Sequence, residues 1–186
     1  MRFDDLVDAI LKEDLRHTAL AGLLGLGLTG GAMAAGGGSN IIKPATSQSV
    51  SKLPRGIRNN NPGNIEAGKD KWNGMIGSDG KFVHFKSAPH GLRAIGVILR
   101  NYKKKYNINT IEGIIKKWAP PNENNTESYI RNVEQNTGIS RDQKLNLNDR
   151  DQLKKLINAI VMQENGKQYK YQDSVMNVAL DLIFTS

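Results

Sequence analysis

The chain has 186 residues, and Lys and Arg outnumber Asp and Glu by 26 to 18, a formal net charge of +8. It contains no cysteine, which excludes disulfides, thiolate catalysis and cysteine-ligated metal sites. His17, His84 and His90 form no HExxH or HxH spacing, so no metal site is expected and nothing calls for a cofactor.

The charge is uneven along the chain. Residues 1–17 carry three basic and five acidic side chains, a balance of −2, so the remainder carries +10. A basic domain suits a polyanion: nucleic acid, an anionic membrane surface or a bacterial wall. Within residues 1–17, Phe3, Leu6, Val7, Ile10 and Leu11 recur with helical period and predict a short amphipathic helix. Thr18 to Ile42 holds no charged residue and turns from Leu/Ala-rich to Gly-rich. That length spans a bilayer, but eight glycines between Gly22 and Gly38 weaken it as a helix. Residues 1–40 are therefore read as an amphipathic and apolar segment for membrane contact or assembly, followed by a polar linker over 41–53. The globular domain is expected over 54–186.

That domain opens on Arg55-Gly56-Ile57-Arg58-Asn59-Asn60-Asn61-Pro62-Gly63-Asn64-Ile65, a poor helix and a poor strand. Asparagine favours backbone-bonded turns, Pro62 fixes φ and Gly63 permits positive φ. Amides displayed on a shaped loop suit a neutral, hydroxyl-rich ligand such as a glycan. Further on, Gly77 to Gly80 predict a turn, and Lys81 to Phe85 alternate as a short strand. Ser87 and Pro89 then start a helix that runs through Leu92, Ile95, Leu99, Tyr102 and Tyr106, with Ser87 as a cap. Thr110 starts a second helix, Ile111 to Trp118, stopped by Pro120-Pro121. Helices are also expected from Thr126 to about Asn136, from Asn148-Asp149 through the stripe Leu153, Leu156, Ile157, Ile160 and Val161, and from Asp173 to Ile183. The fold class is mainly α with a small β element.

Glycosidic cleavage needs a carboxylic acid beside the leaving oxygen. Partial burial and a helix C-terminus both disfavour the ionised form. Glu164 has that setting, after the apolar stripe and just before Asn165-Gly166; an ordinary exposed glutamate at a helix end fits the same spacing. Glu123 lies in Trp118-Ala119-Pro120-Pro121-Asn122-Glu123-Asn124, where it either binds a sugar hydroxyl or stabilises the next helix N-terminus. Trp118 either packs in the core or stacks on a sugar face.

The tract Arg55 to Ile65, the loop Trp118 to Asn124 and the closing Gln163-Glu164-Asn165-Gly166 together resemble a family of small bacteriophage virion structural proteins, over about residues 54–172. More distantly, Asn64-Ile65, Phe82 to Phe85 and Tyr129-Ile130 look like successive pieces of lysozyme-like glucosaminidases and lytic transglycosylases. Leu156 to Gly166 is similar to the acid-bearing helix of that group, displaced to the C-terminal side. The resemblance implies a circularly permuted lysozyme-like domain in a phage virion that degrades peptidoglycan during penetration of the host. Glu164 would be the catalytic acid, and Asn61, Asn64, Trp118, Glu123 and Tyr129 would contact substrate. Peptidoglycan and other virion proteins would be its partners. Two other readings remain at this level: a non-enzymatic virion protein that binds glycan or protein, and a basic nucleic-acid-binding protein. The last lacks a recognised motif, and its basic clusters are not interleaved with aromatics.

Overall fold

A computed structural model describes residues 53–122 and 124–185. The segment expected over 1–40, the linker expected over 41–53 except Leu53, and the candidate Glu123 lie outside the described residues. In chain order the elements are a one-turn helix Arg55–Arg58 (α1), strands Met75–Ser78 (β1) and Val83–Phe85 (β2), and helices Ala88–Tyr106 (α2), Ile111–Trp118 (α3), Thr126–Thr137 (α4), Arg150–Asn165 (α5) and Asp173–Phe184 (α6). Among the described residues the fold is thus mainly helical with a small two-stranded antiparallel sheet. No helix among them is long and apolar enough to cross a membrane.

Apolar spacing explains the core. Leu153, Leu156, Ile157, Ile160 and Val161 are all buried and form the inner face of α5. Helix α4 packs along α5 through Tyr129, Ile130 and Val133, and α2 lies against α6. Capping residues set the helix starts. The Thr110 hydroxyl accepts from Gly113 N, and the Asp149 carboxylate accepts from the amides of Asp151 and Gln152. Ser87 occupies the N-cap of α2 but its side chain does not cap; its hydroxyl lies 2.8 Å from His90 Nδ1 instead.

Three local expectations change. The tract from Arg55 begins with a helical turn, α1, before its loop. Gly77 and Ser78 belong to strand β1 rather than to the turn. This strand alternates only half-buried and exposed positions, leaves Ile76 70% exposed and is bulged between Met75 and Gly77, so it carries almost no periodic signal. Finally, positive φ falls on Asn60 (50°) and Asn64 (47°), not on Gly63. Asparagine tolerates the left-handed region because its short amide bonds locally.

Gly63 answers a different need. A Cβ there would sit 2.8 Å from Ile95 Cγ1 and 3.2 Å from the Trp118 ring, so the residue lets α2 and α3 approach the tract. The tract itself is laced to β2. Phe85 N donates to Asn59 O (3.0 Å), Asn60 Nδ2 to Phe85 O (3.2 Å) and Val83 N to Ile65 O (3.0 Å). Asn61 is fully buried: its Nδ2 donates to Ile65 O and Val83 O, both at 2.9 Å, and its Oδ1 accepts from Ile65 N at 2.9 Å.

The turn between the strands is organised by Asp79, whose carboxylate accepts from Phe82 N (2.8 Å), Lys81 N (3.1 Å) and Asn59 Nδ2 (3.0 Å). Chiefly the Phe82 amide, then the Asn59 amide, hold this carboxyl at about 2, below its ordinary 3.8. A depressed carboxyl stabilises the folded state above its unfolded value and loses that contribution as pH falls through the folded one. The contribution of this turn is therefore complete above 3.8 and lost as pH falls through about 2. The carboxyl carbon shift of Asp79, followed by NMR, should show its midpoint near 2. A midpoint at the ordinary value would remove the turn from the acid response.

Replacing Asn61 by Ala leaves the buried Ile65 amide without its acceptor and takes one donor from each of the Ile65 and Val83 carbonyls. The expected cost is about 2–4 kcal/mol, read as a lower denaturant midpoint at unchanged slope. A change under about 0.5 kcal/mol would show that the amide does not brace the fold.

Candidate functional site

The site grows from the last turn of α5. The stripe that buries Val161 returns four residues later at Asn165, which is 7% exposed, and turns its neighbour Glu164 outward to a half-buried position. The helix ends at Gly166, whose φ of 104° takes the chain away.

Three elements then place donors around the Glu164 carboxylate. Asn64, left-handed at the end of the asparagine run, donates through Nδ2 to Oε2 at 3.0 Å. Trp118, the last residue of α3, donates its indole Nε1 to Oε1 at 3.1 Å. Tyr129, in the first turns of α4, donates its hydroxyl to the same Oε1 at 2.9 Å. In every case Glu164 is the acceptor. A carboxylate offers about four lone-pair sites, so capacity for a further donor remains. Among the described residues no lysine or arginine pairs with it. Burial, then the charge of Glu164, push the Tyr129 phenol well above its ordinary range, so the hydroxyl keeps its proton and stays a donor.

The two aromatic donors are held in register by the joint between their helices. Thr126 Oγ1 donates to Ala119 O at 2.6 Å. Arg141 reaches across from the segment after α4, forking onto both oxygens of Glu127 at 2.7 and 3.1 Å and pairing with Glu112 of α3 at 3.2 Å. The tract is held from the opposite side. Asn165 Nδ2 donates to Pro62 O at 2.7 Å and to Val161 O at 3.0 Å, tying the end of α5 to the loop that carries Asn64.

Of the residues singled out from sequence, Glu164, Asn64, Trp118 and Tyr129 therefore meet at one point. Asn61 does not join them: it is sealed in the core with its amide fully used, which suits a brace and leaves no atom to face a glycan. The indole of Trp118 is half-buried, with its nitrogen on Glu164 and its ring edge over Gly63, so it forms part of the wall around the carboxylate. Glu66, the carboxylate immediately after the tract, is exposed and forms a backbone bridge to Phe82 beside Lys81. Asn165 was missed as a positioning residue, although a polar side chain at the next place of an otherwise apolar stripe is a readable sign. Among the described residues no cluster of three or more His, Asp or Glu is placed to hold a metal ion.

Sequence comparison supplies the class of protein to which the chain belongs. The chain matches no established protein-family profile. Over 130 residues it is 44% identical to Protein P5 of Pseudoalteromonas phage PM2, a match covering 67% of this chain and 79% of that protein. This is a bacteriophage protein. It belongs to the family of Protein P5 of phage PM2.

Because Asn165 must donate to two carbonyls, its replacements should rank by donor capacity. Asn165→Ala should lower stability by about 2–3 kcal/mol and shift the side-chain amide signal of Asn64. Asn165→Asp should be worse, since it places a carboxylate against Pro62 O. An aspartate variant as stable as the native chain, measured by thermal unfolding, would remove this bond from the positioning of Asn64.

Proposed function

We propose that this chain is a virion-associated, peptidoglycan-degrading phage protein, with a circularly permuted lysozyme-like domain that cleaves glycosidic bonds through Glu164. The observation that carries this reading is the setting of Glu164: a half-buried carboxylate with three neutral donors from separate parts of the chain and no basic partner among the described residues. Two surface glutamates show the contrast: Glu112 pairs with Lys116 and Arg141, and Glu127 with Arg131 and Arg141. Neutral donors of this kind stabilise the carboxylate that remains when a general acid has given up its proton, and leave it free of a cationic partner.

In this reading the Glu164 carboxyl, in its protonated form, gives its proton to the leaving glycosidic oxygen, and the carboxylate left behind then acts as the base on the group that completes the reaction. No second carboxylate pairs with it among the described residues, so the route that fits is attack by the sugar's own hydroxyl, which needs one carboxyl group acting twice. Tyr129 donates to the negative charge that develops on Glu164 as its proton leaves. Asn64 orients an acetamido group on the sugar. Glu123, in the loop after Trp118, is assigned to a sugar hydroxyl. The basic charge of the domain draws it to the anionic wall, and residues 1–40 contact a membrane or other virion proteins while the domain works at the bacterial envelope.

The test is muropeptide release from purified peptidoglycan by the full chain and by Glu164→Gln. Release should fall at least about 100-fold with unchanged circular dichroism, and the native products should carry anhydro-sugar ends. Products with ordinary reducing ends would assign the attack to water instead. Retained release by Glu164→Gln would remove the residue from the mechanism. A native chain that sediments with intact wall yet releases nothing would establish a glycan-binding virion protein in place of an enzyme.

A further inference from the structure

Away from Glu164, the outer face of α2 has a different chemistry. Arg100, Lys103 and Lys104 stand at i, i+3 and i+4 and share one face over a single helical turn. With Leu145, Asn146, Leu147 and Asn148 they line a shallow depression of about 370 Å³. No carboxylate lines it.

The central cation is held in place without being neutralised. Arg100 Nη1 donates to Ile183 O at 2.9 Å and Nη2 to Asn148 Oδ1 at 3.2 Å, while its guanidinium lies 4.9 Å from the Phe184 ring centroid. Lys103 Nζ donates to Asn107 Oδ1 at 2.6 Å. Every one of these acceptors is neutral. Two acids close in sequence to the lining are engaged elsewhere: the Asp149 carboxylate caps α5, and Asp142 accepts from Ser140 Oγ at 2.6 Å. The negative end of α2 rewards basic residues in its last turn, which accounts for Lys103 and Lys104 as charges. It does not account for a guanidinium one turn earlier, fixed by two neutral oxygens and a ring.

We propose that this depression is a second binding site, separate from Glu164, that takes a phosphate group. Arg100 supplies a planar, oriented fork, Lys103 and Lys104 supply mobile point charges, and the side chains of Asn146 and Asn148 supply neutral amides at the rim. Three cations within one turn match one phosphate. A duplex backbone would require contacts spread along a track of phosphates. The phosphate is carried either by a phospholipid headgroup or by a soluble phosphate ester, and the proposal stands whether or not Glu164 is catalytic.

The test uses the isotope-labelled full chain. Inorganic phosphate and glycerol phosphate are titrated in while amide and Arg100 Nε signals are followed, and vesicles of phosphatidylcholine with and without phosphatidylglycerol are used for co-sedimentation. The expected result is a saturable shift centred on Arg100, Asn146 and Asn148. It should weaken about fivefold in Lys104→Ala, vanish in Lys103→Ala/Lys104→Ala, and decline with added salt. Lys69→Ala/Lys155→Ala removes the same charge elsewhere and should leave binding unchanged. Pelleting with phosphatidylglycerol that depends on Lys103 and Lys104 assigns the lipid source, and glycerol phosphate binding without pelleting assigns the soluble one. Absence of the shift, an equal loss in the Lys69/Lys155 variant, or tighter binding of duplex DNA through the same residues would overturn the proposal.

Discussion

A carboxylate withdrawn from water must be met by donors, and in this domain that requirement falls on Glu164. Its three partners come from the loop after α1, the end of α3 and the start of α4. The supporting bonds are arranged around the same point. Asn165 fixes the loop from below, Thr126 locks the joint between α3 and α4, and Arg141 spans those two helices. What looks like a set of separate turns and caps is the framework of one acceptor. The ordering of Asn64 and Trp118 follows from it.

The helices were legible in the sequence because their cause is local. The stripe from Leu153 to Val161, the Thr110 and Asp149 caps and the stop at Pro120-Pro121 each act within one or two turns. Glu164 was legible for the same reason, as the polar end of an apolar helix. The asparagine run was read correctly as turn-forming, but turn propensity does not say which amides face inward. Asn60, Asn61 and Asn64 are chemically equal in sequence and have different fates: one bonds the edge of β2, one is buried entirely, one reaches Glu164. What separates them is the packing of β2 and α5, which no local window contains. Strand β1 escaped for a related reason. With two half-buried positions and two exposed ones it has no buried face to announce it, and only pairing with β2 makes it a strand.

The domain also divides its polar chemistry by kind. Around Glu164 the partners are neutral amide, indole and phenol groups, which stabilise charge without cancelling it. On the surface of α3, α4 and the segment that follows, Glu112, Glu127, Arg131 and Arg141 cancel one another in a network. The lysines next to the aromatic residues behave in a third way. Lys117 lies 4.1 Å from the Tyr106 centroid and 5.5 Å from that of Tyr102, so basic and aromatic groups separated in sequence are interleaved in space. A net charge of +8 therefore says little until each cation is assigned its neighbour.

The separation of Asn64 and Glu164 by 100 positions also governs how the protein comes into being. Closing a loop of that length costs about 4 kcal/mol of chain entropy before the contact can reward it. No fragment ending before α5 contains the acceptor, and no fragment beginning after the asparagine run contains its first donor. The cluster therefore needs nearly the whole domain in one chain before it can assemble. A chain still emerging from the ribosome lacks α5 and α6, and with them both the carboxylate and the faces on which α4 and α2 pack.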